Sequence, residues 1–95
     1  MSAEQRIRDL GLVLPSGSAP AANYVNAVRT GGLLFIAGKA PLPENGQLPK
    51  GRLGRDYTAA EGYRFARSAA LELLAVMRAE LGSLDWVARV VEVMP

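Results

Sequence analysis

The chain has 95 residues, of which 49% are hydrophobic, and this length and composition fit one compact domain spanning residues 1–95. It contains no cysteine and no histidine, which excludes disulfides and the usual Cys/His metal sites, so we expect oligomerisation to stabilise so small a domain. The formal net charge of +2 comes from 11 basic and 9 acidic residues spread along the chain, which argues against a nucleic-acid partner.

Residues 1–18 are interpreted as an N-terminal helix and a linker. Ser2 and Gln5 have the spacing of a capping box, which predicts a short helix from about residue 3 to residue 10. The following segment, LPSGSAPAAN, is too rich in Pro, Ser, Gly and Ala to hold regular structure. The N-terminus lacks the apolar core of a signal peptide, and no apolar run reaches the roughly 20 residues that span a bilayer. We therefore expect a soluble, cytoplasmic protein with no membrane partner.

The stretch NYVNAVRTGGLLFIAGK, residues 23–39, predicts a β-hairpin. Its first strand is led by Tyr24, and its second, LLFIA, is a continuous apolar run of strand length bounded by glycines. Gly31 and Gly32 supply the positive φ angles that a tight hairpin turn needs.

A long loop and a long helix are predicted after the hairpin. The loop, KAPLPENGQLPKGRLGRDYT, is expected to hold one short strand pairing around residues 47–48. Thr58 and Glu61 have capping-box spacing and open a helix from about residue 59 to residue 81. Gly82 ends this helix because glycine readily adopts a left-handed conformation.

The packing side of the long helix is predicted from apolar residues at three- and four-residue spacing, which place Tyr63, Leu74 and Met77 against the sheet. Residues 87–94, VARVVEVM, then predict a buried strand. This order of elements indicates an α+β fold whose helix covers one face of the sheet. The other face stays apolar and needs a partner surface.

Three segments together resemble the YjgF/RidA family, also called the endoribonuclease L-PSP or reactive-intermediate deaminase family. They are APAANYVNAVRTGGLLFIAGKAPL, GQLPKGRLG and the Ala-rich helix ending in ELGSLDWVARVVEV, and the likeness covers about residues 19–93, the N-terminal two-thirds of the family. It implies a chorismate-mutase-like (RidA-like) α+β fold, truncated here after the long helix and the following strand. It also implies a homotrimer with clefts between subunits. The implied reaction hydrolyses enamine or imine intermediates to 2-keto acids and ammonia without metal or organic cofactor.

The resemblance also suggests binding residues, although the family's catalytic residues remain unknown in this chain. In the family, the arginine that binds the substrate carboxylate and the glutamate that places a water lie in the last third, beyond the matched segment. Tyr24 matches a tyrosine that lines the family's cleft, with simple core packing as the alternative. Gly38 and Lys39 match a Ser-Gly-Gln strand exit that meets the ligand. They are candidates for binding a small carboxylate or imine, the alternative being a plain turn and a solvated lysine.

Three functions follow in order of preference. The first is a RidA-like deaminase, and the second is a non-catalytic metabolite-binding or regulatory module that uses the same cleft. The third, an endoribonuclease or translation inhibitor, ranks last because the chain has no histidine to act as general acid or base. The loop and helix arginines, which could form a basic patch for RNA, have few aromatic residues between them; they are Arg52, Arg55, Arg64 and Arg67. The acidic residues Glu44, Asp56 and Glu61 suggest no metal site.

Overall fold

The structure, a computed structural model, describes residues 2–15 and 25–94. Tyr24 lies outside these ranges. The described elements follow the order helix, strand, strand, helix, 3₁₀ turn, and they confirm the predicted α+β class. Their bounds are α1 Ala3–Asp9, β1 Ala27–Thr30, β2 Leu33–Ile36, α2 Ala59–Leu81 and a 3₁₀ turn at Leu84–Trp86.

The predicted hairpin is present as an antiparallel pair. Ala27 lies opposite Ile36, Thr30 lies opposite Leu33, and the two glycines between the strands form the turn. Gly31 has a φ of 55°, a left-handed conformation that side chains with a Cβ rarely adopt. Gly31 therefore has the conformation expected of the turn, whereas the positive φ predicted for Gly32 is not found.

The two faces of the hairpin differ in what covers them. Ala27, Leu34 and Ile36 lie on one face of the sheet and are half-buried, and α2 contacts both strands. On the opposite face, Val28 is 53% exposed and Phe35 is 59% exposed, although both are apolar. Within residues 2–15 and 25–94, this face is therefore apolar and largely exposed, as expected.

The bounds predicted for α2 are confirmed by its caps. The Thr58 hydroxyl accepts a hydrogen bond from the Glu61 amide at 3.1 Å, and the Thr58 amide donates to Glu61 Oε1 at 2.9 Å. Gly82 ends the helix with a φ of 83°. Ser2 caps α1 in the same way, by accepting from the Gln5 amide at 3.1 Å.

The predicted packing side of α2 is wrong for Tyr63, whereas Leu74 and Met77 are half-buried. Tyr63 is 73% exposed, whereas Glu72, Ala75 and Val76 are buried. Tyr63 and Glu72 are nine positions apart, about two and a half turns at 3.6 residues per turn, so they lie on opposite sides of the helix. The most buried side of the helix includes a charged residue, Glu72, which is only 2% exposed, so the spacing of apolar residues alone does not mark that side.

The strand predicted for residues 87–94 is not formed in the structure. These residues join no sheet, and all of them except half-buried Val87 are exposed. A strand needs a partner edge for its backbone hydrogen bonds, and the described sheet contains only β1 and β2. The short strand pairing predicted around residues 47–48 of the loop is close to an observed bridge between Glu44 and Gln47.

The most buried apolar residues of the described chain are Ala75, Val76 and Leu84, at the junction between α2 and the 3₁₀ turn. Helix α1 covers this junction. The Glu4 carboxylate accepts hydrogen bonds from Arg78 Nη2 and from the Leu84 amide, both at 2.7 Å. Residues 2–15 and 25–94 contain no helix that is long and apolar enough to cross a membrane.

Candidate functional site

The candidate site lies at the open end of the hairpin, where the chain enters β1 and leaves β2. The Ala37 amide donates to the Asn26 carbonyl at 2.9 Å, which continues the strand pairing one step beyond the ladder. Asn26 is therefore held beside the exit of β2, and Gly38 and Lys39 follow directly.

Lys39 folds back over this open end instead of extending into water. Its Nζ donates a hydrogen bond of 2.7 Å to Asn26 Oδ1, and the contact is partly buried. The residue as a whole is half-buried. A neutral amide oxygen orients an ammonium group without cancelling its charge, so this contact preserves attraction for an anion.

Gly38 is exposed and has room around it. A Cβ built at this position would meet no atom within 4 Å, and its φ is not in the left-handed region. Neither packing against the described residues nor backbone conformation therefore demands glycine here. The proposed backbone contact of Gly38 with a ligand stays a prediction, as does the role of Tyr24 outside the described residues.

An apolar groove of about 360 Å³ adjoins the open end of the hairpin. Small-molecule pockets commonly have volumes of roughly 300 to 1,000 Å³, so the groove has the size for a small metabolite. The last of its lining residues along the chain, Ala37, directly precedes Gly38. Its lining residues are Val25, Ala27, Val28, Phe35, Ile36 and Ala37.

Two of the loop and helix arginines considered for RNA binding, Arg55 and Arg64, make ion pairs. Arg64 Nη2 lies 2.8 Å from Glu44 Oε1, and this hydrogen-bonded carboxylate raises the pKa of Arg64. Arg64 also stacks over Phe65 at 5.1 Å from the ring centroid. Arg55 pairs with Asp56 at 3.0 Å. These ion pairs reduce the positive charge that both arginines offer to RNA.

The carboxylates of the same region have structural partners as well. The Arg52 amide and the Arg55 side chain lower the pKa of Asp56 by hydrogen bonding to its charged form. The Thr58 amide and hydroxyl do the same to the pKa of Glu61. Among the described residues, no three His, Cys, Asp or Glu side chains form a group that could hold a metal ion.

Sequence reasoning missed Asn26 and Glu72. Asn26 and Lys39 are 13 positions apart and their contact depends on strand register, so no local sequence pattern predicts it. Glu72 could have been found, because Ala75 and Val76 flank it on one side of the helix and Phe65 lies two turns earlier.

Comparison with known proteins gives relatives of greater length. No family model matches the chain. It is 42% identical over 86 residues to Protein TCP17 of Trypanosoma cruzi, which corresponds to 90% of this chain and 54% of that protein. A crystal structure of a "putative endoribonuclease" from Shewanella oneidensis MR-1 superposes with a TM-score of 0.78 at 35% identity, over 88% of this chain and 56% of that one.

The similarity to the Shewanella protein supports the resemblance to the YjgF/RidA family. The structural match also confirms the RidA-like fold expected from the sequence. The protein Atu1372 of Agrobacterium tumefaciens, described as of unknown function, gives a further match with a TM-score of 0.66 and 36% identity, over 83% of this chain and 47% of that one. The chain thus spans about half the length of the relatives that it matches.

Proposed function

We propose that this chain carries the carboxylate-binding part of a RidA-like deaminase, a cofactor-free hydrolase of reactive enamine and imine intermediates. The observation that carries the proposal is the Lys39 ammonium, which Asn26 holds at 2.7 Å beside an apolar groove. A 2-keto acid or its imine has a carboxylate that suits the ammonium and a short apolar part that suits the groove. Tyr24 and Gly38 are proposed to complete the cleft.

The carboxylate contact is tested by replacing Lys39 with methionine, which keeps the length and apolar stem of the side chain but removes its charge. Hydrogen bonds to charged groups contribute about 1.5–3 kcal/mol, so binding of pyruvate, the smallest 2-keto acid, should weaken about 10- to 100-fold. The loss should shrink in high salt because ions screen a partly exposed charge pair. Calorimetric titration measures both effects.

Lys50 provides a matched control because it is the other lysine of the chain and lies exposed in the loop. Lys50→Met should leave pyruvate affinity unchanged. Equal affinities of the parent, Lys39→Met and Lys50→Met would remove Lys39 from the site. Hydrolysis is measured separately, by trapping an imine substrate as it disappears.

A non-catalytic binding or regulatory module is the second candidate. It is supported by the structural use of four carboxylates, since Glu4, Glu44, Asp56 and Glu61 are occupied by caps and ion pairs. Pyruvate binding without any imine hydrolysis would favour this module over the deaminase.

RNA cleavage is the third candidate and draws support from the description of the Shewanella protein. The absence of histidine from the sequence and the paired state of Arg55 and Arg64 weigh against it. Ribonuclease activity that survives repeated purification would restore it. For each candidate we expect a cytoplasmic location, which cell fractionation tests.

Assembly as a homotrimer belongs to the same proposal. The outward hairpin face exposes Val28, Leu33 and Phe35 by 50% or more, and apolar surface left in water forgoes about 25 cal/mol per Å². Packing this face against neighbouring copies would bury it and place Gly38 near a subunit boundary. Sedimentation over a wide concentration range should show association, and a folded monomer at micromolar concentration would contradict the trimer.

A further inference from the structure

Asn26 is fixed by two independent contacts at the open end of the hairpin. Its backbone carbonyl accepts from the Ala37 amide at 2.9 Å, and its side-chain Oδ1 accepts from Lys39 Nζ at 2.7 Å. The strand register therefore determines where the amide side chain stands, and the amide side chain determines where the ammonium stands.

The chemistry of the amide matters as much as its place. An aspartate at this position would have nearly the same shape, but its carboxylate would form an ion pair with Lys39 and compete with an anionic ligand. A small apolar residue would leave the long lysine side chain without this anchor, and the ordering of that side chain would then oppose binding. An amide anchors the ammonium and adds no negative charge.

We infer that Asn26 is a positioning and selectivity residue, which holds the Lys39 ammonium ready for the carboxylate of a small 2-keto or 2-imino acid and so makes the site prefer acids over their neutral analogues. This inference rests on the proposed function of the Lys39 site. It goes beyond that function by assigning charge selectivity to a residue that itself carries no charge.

The test compares pyruvate with pyruvamide, its neutral analogue of nearly the same shape, at low ionic strength. The parent protein should bind pyruvate at least tenfold more tightly. Asn26→Asp should abolish that preference through a loss of pyruvate affinity, with pyruvamide affinity changed less than threefold. A residue with only a structural role would lower both affinities together, so the ratio of the two affinities is the decisive measurement.

Gln47→Glu is the matched control, because it makes the same amide-to-acid change at an exposed loop position that forms a bridge with Glu44. The control should keep the parent's preference for pyruvate. Equal preferences in Asn26→Asp and Gln47→Glu would attribute the effect to net charge and overturn the inference.

A second variant covers the case in which Asn26→Asp fails to fold, as judged by far-ultraviolet circular dichroism. Asn26→Ser adds no charge and is too short to hold Lys39 in the same place, so the preference for pyruvate should fall severalfold. An unchanged preference in a folded Asn26 variant overturns the inference alone. Failure of the parent to bind pyruvate more tightly than Lys39→Met overturns the proposed function, and the role of Asn26 falls with it.

Discussion

Replacing Leu84 by alanine should destabilise the fold more than any comparable change at an exposed leucine. Leu84 is 2% exposed and, with Ala75 and Val76, belongs to the most buried apolar set of the described chain. The substitution removes three carbon groups, each contributing about 0.8 kcal/mol when buried, which gives roughly 2.4 kcal/mol. A residual cavity adds to this, and measured Leu→Ala losses run from about 2 to 5 kcal/mol.

We place the expected loss at about 2–4 kcal/mol, because so small a core can partly collapse around the cavity. In a domain of this size each kcal/mol lowers the melting temperature by about 4–8 °C, so a drop of roughly 8–32 °C is expected. Domain stabilities are about 5–15 kcal/mol in total, so the variant should still fold at low temperature. Urea unfolding followed by circular dichroism measures the change in the free energy of unfolding directly.

Leu10→Ala is the control, since Leu10 is 60% exposed and most of its side chain already contacts water. Its cost should stay below about 1 kcal/mol. Equal losses in Leu84→Ala and Leu10→Ala would refute the reasoning, because the junction between α2 and the 3₁₀ turn would then not be the centre of the fold.

Two further predictions concern the ends of the helices. Hydrogen bonds from Arg78 and from the Leu84 amide lower the pKa of Glu4 below its ordinary value of 4.5. Its contribution to stability is therefore present above about pH 4.5 and lost as the pH falls through the lowered pKa. Glu4→Gln should therefore be less stable than the parent protein at pH 6, and the difference in the free energy of unfolding should become smaller as the pH is lowered. A difference that is constant between pH 6 and pH 3 would contradict this. Thr58→Ala should cost about 1 kcal/mol by removing the cap of α2, whereas Thr30→Ala, at the exposed end of β1, should cost less; equal losses in urea unfolding would exclude the cap as the cause.

The parts of the fold that sequence predicted well are those with a local chemical cause. Thr58 and Glu61 cap α2 through contacts only three residues apart, and Gly82 ends it through its own backbone freedom. The hairpin likewise follows from two adjacent glycines. Signals of this kind can be found along the chain without knowledge of its tertiary contacts.

The parts that sequence predicted poorly depend on distant partners. Residues 87–94 have the composition of a strand, but pairing requires an edge that no local pattern supplies. The burial of Tyr63 was predicted wrongly because the most buried side of α2 includes a charged residue, Glu72, and charged residues are rarely buried. In the candidate site, Gly38 and Lys39 were predicted from resemblance, while the amide of Asn26 became visible only through the strand register.

The separation of the core from the candidate site makes the binding tests interpretable. Leu84 and its buried neighbours lie at the C-terminal end of α2, whereas Asn26 and Lys39 meet at the open end of the hairpin and share no described hydrogen bond with that core. Substitutions without shared partners usually have additive effects on stability. Leu84→Ala should therefore lower stability without changing the preference for pyruvate over pyruvamide, whereas Asn26→Asp should change that preference at a smaller cost in stability. A change of preference in a fully folded Leu84→Ala protein would mean that the core and the hairpin end are coupled, and the selectivity assigned to Asn26 would then have to be shared with the packing of α2.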